Sequence, residues 1–326
     1  MTNRTKLLTA TCLAFGLSIF AARSASATGE KIEFVAGIVG IPFYTSMECG
    51  ARDAAKALGV SLNWQGPPQW DLTLQMPMLQ AAIERDPNGL VLAPTDPNAL
   101  ITIVDDLVKK KKIPVVTVDG SLAQPVDLQN IRTDNVVAGG LAAEAMAKAI
   151  GGSGTVLVVG LTPGVVANQE RVDGFTDVLK KKYPGIKVLP TEYPGTDQNK
   201  AAEIVSAALQ ANPDLKGIYT THSNAAVGTS SAVIGAGQQG KVKIIAYDAD
   251  PAQVRDLKTG VYDALVVQSP YIEGYDSVTL VTKILRHEVD PASLAKLAHP
   301  PMVVATRDNI DSPEVKKNLY VDACAK

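Results

Sequence analysis

The chain has 326 residues, 46% of them hydrophobic, with 31 Lys and Arg against 33 Asp and Glu, enough to bury one large core or two ordinary ones. A formal net charge of −2 without basic residues dominating any folded stretch argues against a nucleic-acid binder. The longest apolar run, Leu7 to Phe20, has 14 residues, short of the roughly 20 that a spanning helix needs, so an integral membrane protein is not expected.

That run has the anatomy of a secretory signal. Arg4 and Lys6 precede it and Ala25-Ser26-Ala27 follows as an A-x-A site, which makes residues 1–27 a signal peptide cut after Ala27. Arg4, Lys6 and Arg23 leave with it, so the mature charge moves from −2 to −5. Cys12 lies inside the apolar run as filler, leaving Cys49 and Cys324. In an oxidising compartment two cysteines permit one bridge; the alternative is a buried free Cys49 and a frayed Cys324.

From Ile32 onward short apolar runs alternate with longer amphipathic ones. Phe34 to Val39, Val60 to Trp64, Gly89 to Ala93 and Ile113 to Val118 read as buried strands. Tyr44 to Leu58, Leu72 to Arg85 and Asn98 to Lys111 carry helical spacing between them. After Gly151-Gly152-Ser153-Gly154 the order restarts, with strands at Thr155 to Val159, Lys187 to Leu189, Gly217 to Thr220 and Val242 to Ala246. Two successive β/α blocks imply an α/β protein with two doubly wound parallel sheets. The blocks rhyme: the runs ending Val118-Asp119 and Tyr247-Asp248 each deliver an Asp to a strand's carboxyl end, where ligands of open α/β sheets bind. The plainer reading is that each Asp caps the following turn.

Enzyme motifs fail on context. Gly235-Ala236-Gly237-Gln238-Gln239-Gly240 spells GxGxxG, but it closes a helix and precedes a strand, the reverse of a dinucleotide turn; it reads as a helix stop. His222, His287 and His299 have no second His or Cys at ligand spacing, so neither a metal nor a cofactor is expected. The lysine runs at Lys109 to Lys112 and Lys180 to Lys182 close two helices and complement their dipoles.

Ile41-Pro42-Phe43-Tyr44 with Gly50-Ala51, then Asp71 and Gln75, Pro94-Thr95-Asp96, Ile113 to Asp119, Asp134-Asn135, Arg171 with Gly174-Phe175, and Tyr247-Asp248 together resemble the ribose-type periplasmic sugar-binding proteins, members of the type I periplasmic binding proteins. The resemblance covers nearly the whole mature chain. It implies two lobes, 30–133 plus 269–297 and 134–268 plus 298–307, joined by a three-crossover hinge, with 308–326 as a C-terminal tail. It also implies a sugar or polyol ligand, an ABC permease as partner, and a monomer resident in the periplasm. The DNA-binding regulators that share the fold carry a helix-turn-helix where this chain has an export signal.

Carried over residue by residue, Phe43 and Tyr44 resemble the aromatic pair against the sugar ring, and Asp119 the carboxylate of the first lobe. Thr133 is a small polar position near a crossover. In the second lobe Arg171 resembles the guanidinium donor, Asp248 the second carboxylate, Tyr247 its aromatic neighbour and Gln268 the hinge-side amide. Phe43 and Tyr44 also read as core residues, and Arg171 as a surface partner of Glu170 or Asp173. The chain departs from ribose binders at Gly120 (Arg there), Ala93 and Ile41 (Asn), His222-Ser223 (Asn-Asp) and Thr196, where an aromatic is missing; Trp70 either replaces that aromatic or is packed. The departures point away from ribose, toward another pentose or hexose, an amino sugar, a polyol or a furanosyl signal such as autoinducer-2. A secreted carbohydrate-active enzyme with two carboxylates is the other reading. A Cys49–Cys324 bridge is expected to lash the tail to the first lobe without crossing the mouth of the cleft.

Overall fold

The computed structural model describes residues 29–325; the expected signal peptide and its cut after Ala27 lie outside them. Among the described residues no helix is long and apolar enough to cross a membrane.

The first lobe runs β1 (Lys31–Val35), α1 (Pro42–Leu58), β2 (Ser61–Gln65), α2 (Leu72–Glu84), β3 (Gly89–Leu92), α3 (Ile101–Lys109), β4 (Val115–Val118) and β5 (Gln129–Ile131). The second runs α4 (Asn135–Ile150), β6 (Gly154–Val159), α5 (Val166–Lys182), β7 (Ile186–Val188), α6 (Gln198–Ala211), β8 (Leu215–Thr220), α7 (Ser223–Gly235), β9 (Lys243–Tyr247), α8 (Pro251–Thr259) and β10 (Ala264–Val267). The chain then returns to the first lobe with α9 (Pro270–Leu285) and β11 (Leu297–Ala298), and to the second with β12 (Val303–Ala305) and α10 (Pro313–Lys316).

Each sheet has six strands, ordered β11-β5-β4-β3-β1-β2 and β12-β10-β9-β8-β6-β7. Matching β6 to β1, β7 to β2 and onward makes the two orders the same, so the lobes repeat one topology. One strand departs from the expected all-parallel sheets: β12 pairs antiparallel with β10, because it enters from the other lobe. Three crossovers lie side by side at residues 132–134, 268–269 and 299–302. The Thr133 hydroxyl donates to Gln268 Oε1 at 2.8 Å, and His299 Nδ1 lies 2.9 Å from the Arg132 carbonyl.

Local chemistry explains where elements shift from expectation. The strand expected at Phe34 to Val39 is Lys31–Val35: the chain leaves the sheet at Gly37, and Pro42 opens α1. Charged Glu33 sits in the buried strand because Arg85 holds it at 2.6 and 2.9 Å. Pro114, which has no N–H, delays β4 to Val115. Past α7, Gly237 and Gly240 adopt φ of 65° and 77°, the left-handed stop expected of the GxGxxG segment. The lysine runs form surface pairs, Lys109–Asp105, Lys110–Asp106 and Lys181–Asp177 among them.

In both lobes one helix pair touches backbone to backbone through glycine. A Cβ on Gly50 or Gly274 would lie 1.9 Å from the Tyr271 carbonyl oxygen or 2.0 Å from that of Met47, between α1 and α9. A Cβ on Gly139 or Gly174 would lie 2.2 Å from the Arg171 carbonyl oxygen or 2.0 Å from that of Val136, between α4 and α5.

Residues 308–325, the described part of the expected tail, are packed. Ile310, Val315, Asn318 and Tyr320 are all buried, and Cys324 is disulfide-bonded to Cys49 with Cα atoms 5.3 Å apart.

Candidate functional site

The carboxyl ends of both sheets open onto one cleft, a cavity of about 650 Å³ walled by both lobes. Phe43, Tyr44, Trp70 and Asp119 line it from the first lobe, and Arg171, Thr196, His222 and Asp248 from the second, with Gln268 at the hinge.

Asp119 and Asp248 each follow the last residue of a strand, β4 and β9. Tyr44 donates its hydroxyl to Asp119 Oδ2 at 2.6 Å, which leaves Oδ1 for a ligand. Burial raises the pKa of Asp119, while the Tyr44 bond and the Arg171 charge oppose that rise. Asp248 is held from three sides. Gln268 Nε2 and the Tyr320 hydroxyl reach Oδ1 at 2.8 and 3.1 Å, and the Ser223 amide reaches Oδ2 at 3.1 Å.

Arg171 points inward, 5% exposed. Its surface alternatives are occupied otherwise, since Glu170 pairs with Arg132 and Asp173 accepts from Gln169. The guanidinium lies 3.7 Å over the Tyr247 ring, a cation–π support. It donates to Asn135 Oδ1 and the Thr221 carbonyl, each at 2.8 Å. Tyr247 also bonds Asn135, at 3.2 Å. Thus Tyr247, expected beside the ligand, is fully buried beneath Arg171 and off the cavity wall. Thr133 likewise lies behind the wall, on Gln268. Both hold residues that reach the cleft.

His222 is the N-cap of α7, and its Nδ1 accepts the Ala225 amide while Nε2 lies 3.3 Å from the Gly160 carbonyl. That pattern fixes a neutral ring with the proton on Nε2. Burial lowers its pKa to about 4.

Trp70 is 40% exposed and its ring centroid is 6.4 Å from that of Tyr44. It lies over Gly37, where a Cβ would come within 2.2 Å of Trp70 Cζ3. Thr196 is exposed on the opposite wall.

Four residues at the site escaped the sequence reading. Asn168 lines the cavity and accepts from the Thr221 hydroxyl at 2.7 Å. Asp250, two residues past Asp248, has its pKa raised to about 7 by burial and by Asp248; its spacing was the available signal. Glu273 is fully buried on α9, with Oε1 3.3 Å from the Thr133 hydroxyl. Burial and then Asp119 push its pKa well above the usual carboxylate range. Tyr320 comes from the tail, where no periodicity marks it.

The arrangement suits a polyhydroxylated molecule: acceptors on two sides, one fixed guanidinium, and Ile38, Pro42, Val165 and Val166 as apolar wall for C–H faces.

Comparison with known proteins agrees with this geometry. A solute-binding protein of an ABC transporter from Agrobacterium vitis, bound to α-D-tagatopyranose, is 32% identical. Its superposition covers 90% of this chain and 99% of that one with a TM-score of 0.83. A second from the same species, with bound D-fucose, is 31% identical over 89% and 100% of the two chains, with a TM-score of 0.80. The ribose import binding protein RbsB of Salmonella typhimurium is 28% identical over 291 residues, 88% of this chain and 94% of that protein. The model of the periplasmic binding protein domain matches residues 32–288. With that match, two sheets of one topology and a shared cleft at their carboxyl ends, the chain belongs to the periplasmic binding protein family.

Proposed function

We propose that this protein captures a sugar or sugar-like polyol in the interlobe cleft and delivers it to an ABC importer, without chemically altering it. The observation that carries the reading is the placement of Asp119 and Asp248 at matching strand ends on the two walls of one cavity, with buried Arg171 between them and the hinge. The relatives support it, being solute-binding proteins of ABC transporters solved with sugars or a ribose import binding protein.

In this reading the lobes, 30–133 plus 269–297 and 134–268 plus 298–307, close about the three crossovers when a ligand bonds to both. Contacts made only in the closed form shift the hinge population toward it. Asp119 accepts hydroxyls on one side, and Asp248, with Asn168, does so on the other. Trp70 supplies the aromatic surface that Thr196 does not. The mature protein begins at Thr28 and works as a periplasmic monomer. Hydrogen bonds to charged groups contribute about 1.5–3 kcal/mol each, so two or three of them with apolar packing reach the roughly 8 kcal/mol of a micromolar complex.

The test is calorimetric titration of the purified protein with D-tagatose, D-fucose, D-arabinose, D-allose, D-ribose and xylitol, followed by chromatography of the recovered ligand. Stoichiometric binding with unchanged ligand is expected; turnover would establish an enzyme instead.

A further inference from the structure

The C-terminal segment joins the lobes a fourth time. Up to Tyr320 it belongs to the second lobe and the hinge. Lys258 pairs with Asp311, Ser269 donates its hydroxyl to Asn318 Oδ1 at 2.8 Å, and the Tyr320 amide donates to the Ala249 carbonyl at 3.2 Å. From the next residue it belongs to the first lobe. The Val321 amide donates to Ser46 Oγ at 2.9 Å, and Cys324 is bonded to Cys49; Ser46 and Cys49 are both on α1. Tyr320 itself touches both sides. Its hydroxyl donates to Asp248 at 3.1 Å, while its ring, 3% exposed, meets Phe43 edge-on with centroids 5.6 Å apart.

We infer that this segment is a covalently anchored strap which limits how far the lobes part and in which Tyr320 is a positioning residue for Asp248. The second half of the inference rests on the cleft being the ligand site. Two arguments carry it. A chain end held to the first lobe by a backbone-amide hydrogen bond and a ring contact peels away when the lobes separate, as termini ordinarily do. The disulfide removes that option. Four residues separate the Tyr320 and Cys324 Cα atoms, a reach of at most about 14 Å, so wide opening must pull Tyr320 off Ala249 and Asp248.

The acceptor count on Asp248 gives the positioning role. A carboxylate offers about four lone-pair sites. Gln268 and Tyr320 occupy both on Oδ1, and the Ser223 amide occupies one on Oδ2. Asp248 lines the cleft and its one remaining acceptor site is on Oδ2, so Tyr320 selects which oxygen is left for a ligand. A narrower range of opening also raises the binding-competent fraction and lowers the apparent Kd in proportion.

The test uses full-length mature protein in three forms: wild type, Tyr320→Phe with the disulfide intact, and the Cys49→Ser/Cys324→Ser double variant. Native wild type treated with a phosphine reductant substitutes if the double variant does not fold. Small-angle X-ray scattering without ligand reads the opening. The radius of gyration should rise when the bridge is absent and stay at the wild-type value in Tyr320→Phe; equal values with and without the bridge overturn the strap. Calorimetry with whichever of the six compounds named above binds wild type most tightly reads the positioning role. Tyr320→Phe, which keeps the ring on Phe43, should weaken binding about tenfold and should add nothing in an Asp248→Ala background. An unchanged Kd, or an additive effect in that background, overturns the role. If none of the six binds, the cleft reading fails and the Tyr320 role with it, while scattering still decides the strap.

Discussion

Asp119 and Asp248 share a backbone anomaly: both adopt positive φ, 55° and 78°, at the same point of the repeated topology. Each also donates its amide to the carbonyl of the neighbouring strand, Asp119 to Ile131 and Asp248 to Val266. Asp and Asn tolerate this conformation far better than other side-chain-bearing residues. The same turn that aims the carboxylate thus restricts what can replace it. Asp119→Asn should keep the fold and weaken ligand binding by about 1.5–3 kcal/mol. Asp119→Ala should weaken it similarly and lower stability by a further ~1 kcal/mol from backbone strain. Denaturant titration of the two variants checks this; equal stabilities would remove the strain argument.

His222 makes the protein sensitive to mild acid. Its folded pKa is lowered to about 4 from an ordinary 6.5, so between those values the unfolded chain binds a proton that the folded one refuses. Stability therefore falls as pH drops through that window, by on the order of 3 kcal/mol over the whole of it. His222→Asn keeps an N-cap acceptor and does not titrate. Its Tm should fall less than that of wild type between pH 7 and pH 5, and parallel falls would refute the assignment.

Glu273 acts with the opposite sign. Its folded pKa lies above the ordinary 4.5, because of burial and Asp119, so the folded chain holds a proton that the unfolded chain releases. Stability is full below the unfolded value and declines as pH rises toward the folded one. Glu273→Gln is neutral and nearly isosteric. Its advantage over wild type should grow in chemical denaturation as pH rises above the ordinary carboxylate value, and a constant difference would count against the raised pKa.

Trp70 is exposed at the cleft and contributes little to the core, so Trp70→Ala should leave Tm nearly unchanged and weaken sugar binding about tenfold, the scale of an aromatic face against a C–H surface. Gly37→Ala presses on the same ring and on the Tyr44 hydroxyl that holds Asp119, and should weaken binding at least as much. A Gly37→Ala protein with wild-type affinity would show that Trp70 does not need this seat.

How far the sequence was legible depended on whether a residue's role followed its neighbours in the chain. The strand-Asp rhyme was visible because parallel strands between two neighbours are continuously apolar. The disulfide followed from a count of cysteines. By contrast β5 and β11 have three and two residues, too short for any period, and β10, Ala264–Val267, was passed over although it is apolar and buried. Asp119 and Arg171, which line the cleft, stood out through their motifs. The departures of Thr133 and Tyr247 from the wall were not, because which face of a buried network meets the cavity is decided by packing. Tyr320 lies 72 residues from its Asp248 partner, in a segment with no repeat or motif.

The glycine contact between α4 and α5 bears on how such a site diversifies. The atom that Gly139 abuts is the backbone carbonyl of Arg171 itself, so the gap between two helices sets the depth at which the guanidinium stands in the cleft. A single methyl group at residue 139, which does not line the cavity, would push that carbonyl away and carry the arginine with it, and ligand geometry is held to about half an ångström. A shift in preferred ligand can therefore arise from the scaffold with every cleft-lining side chain unchanged.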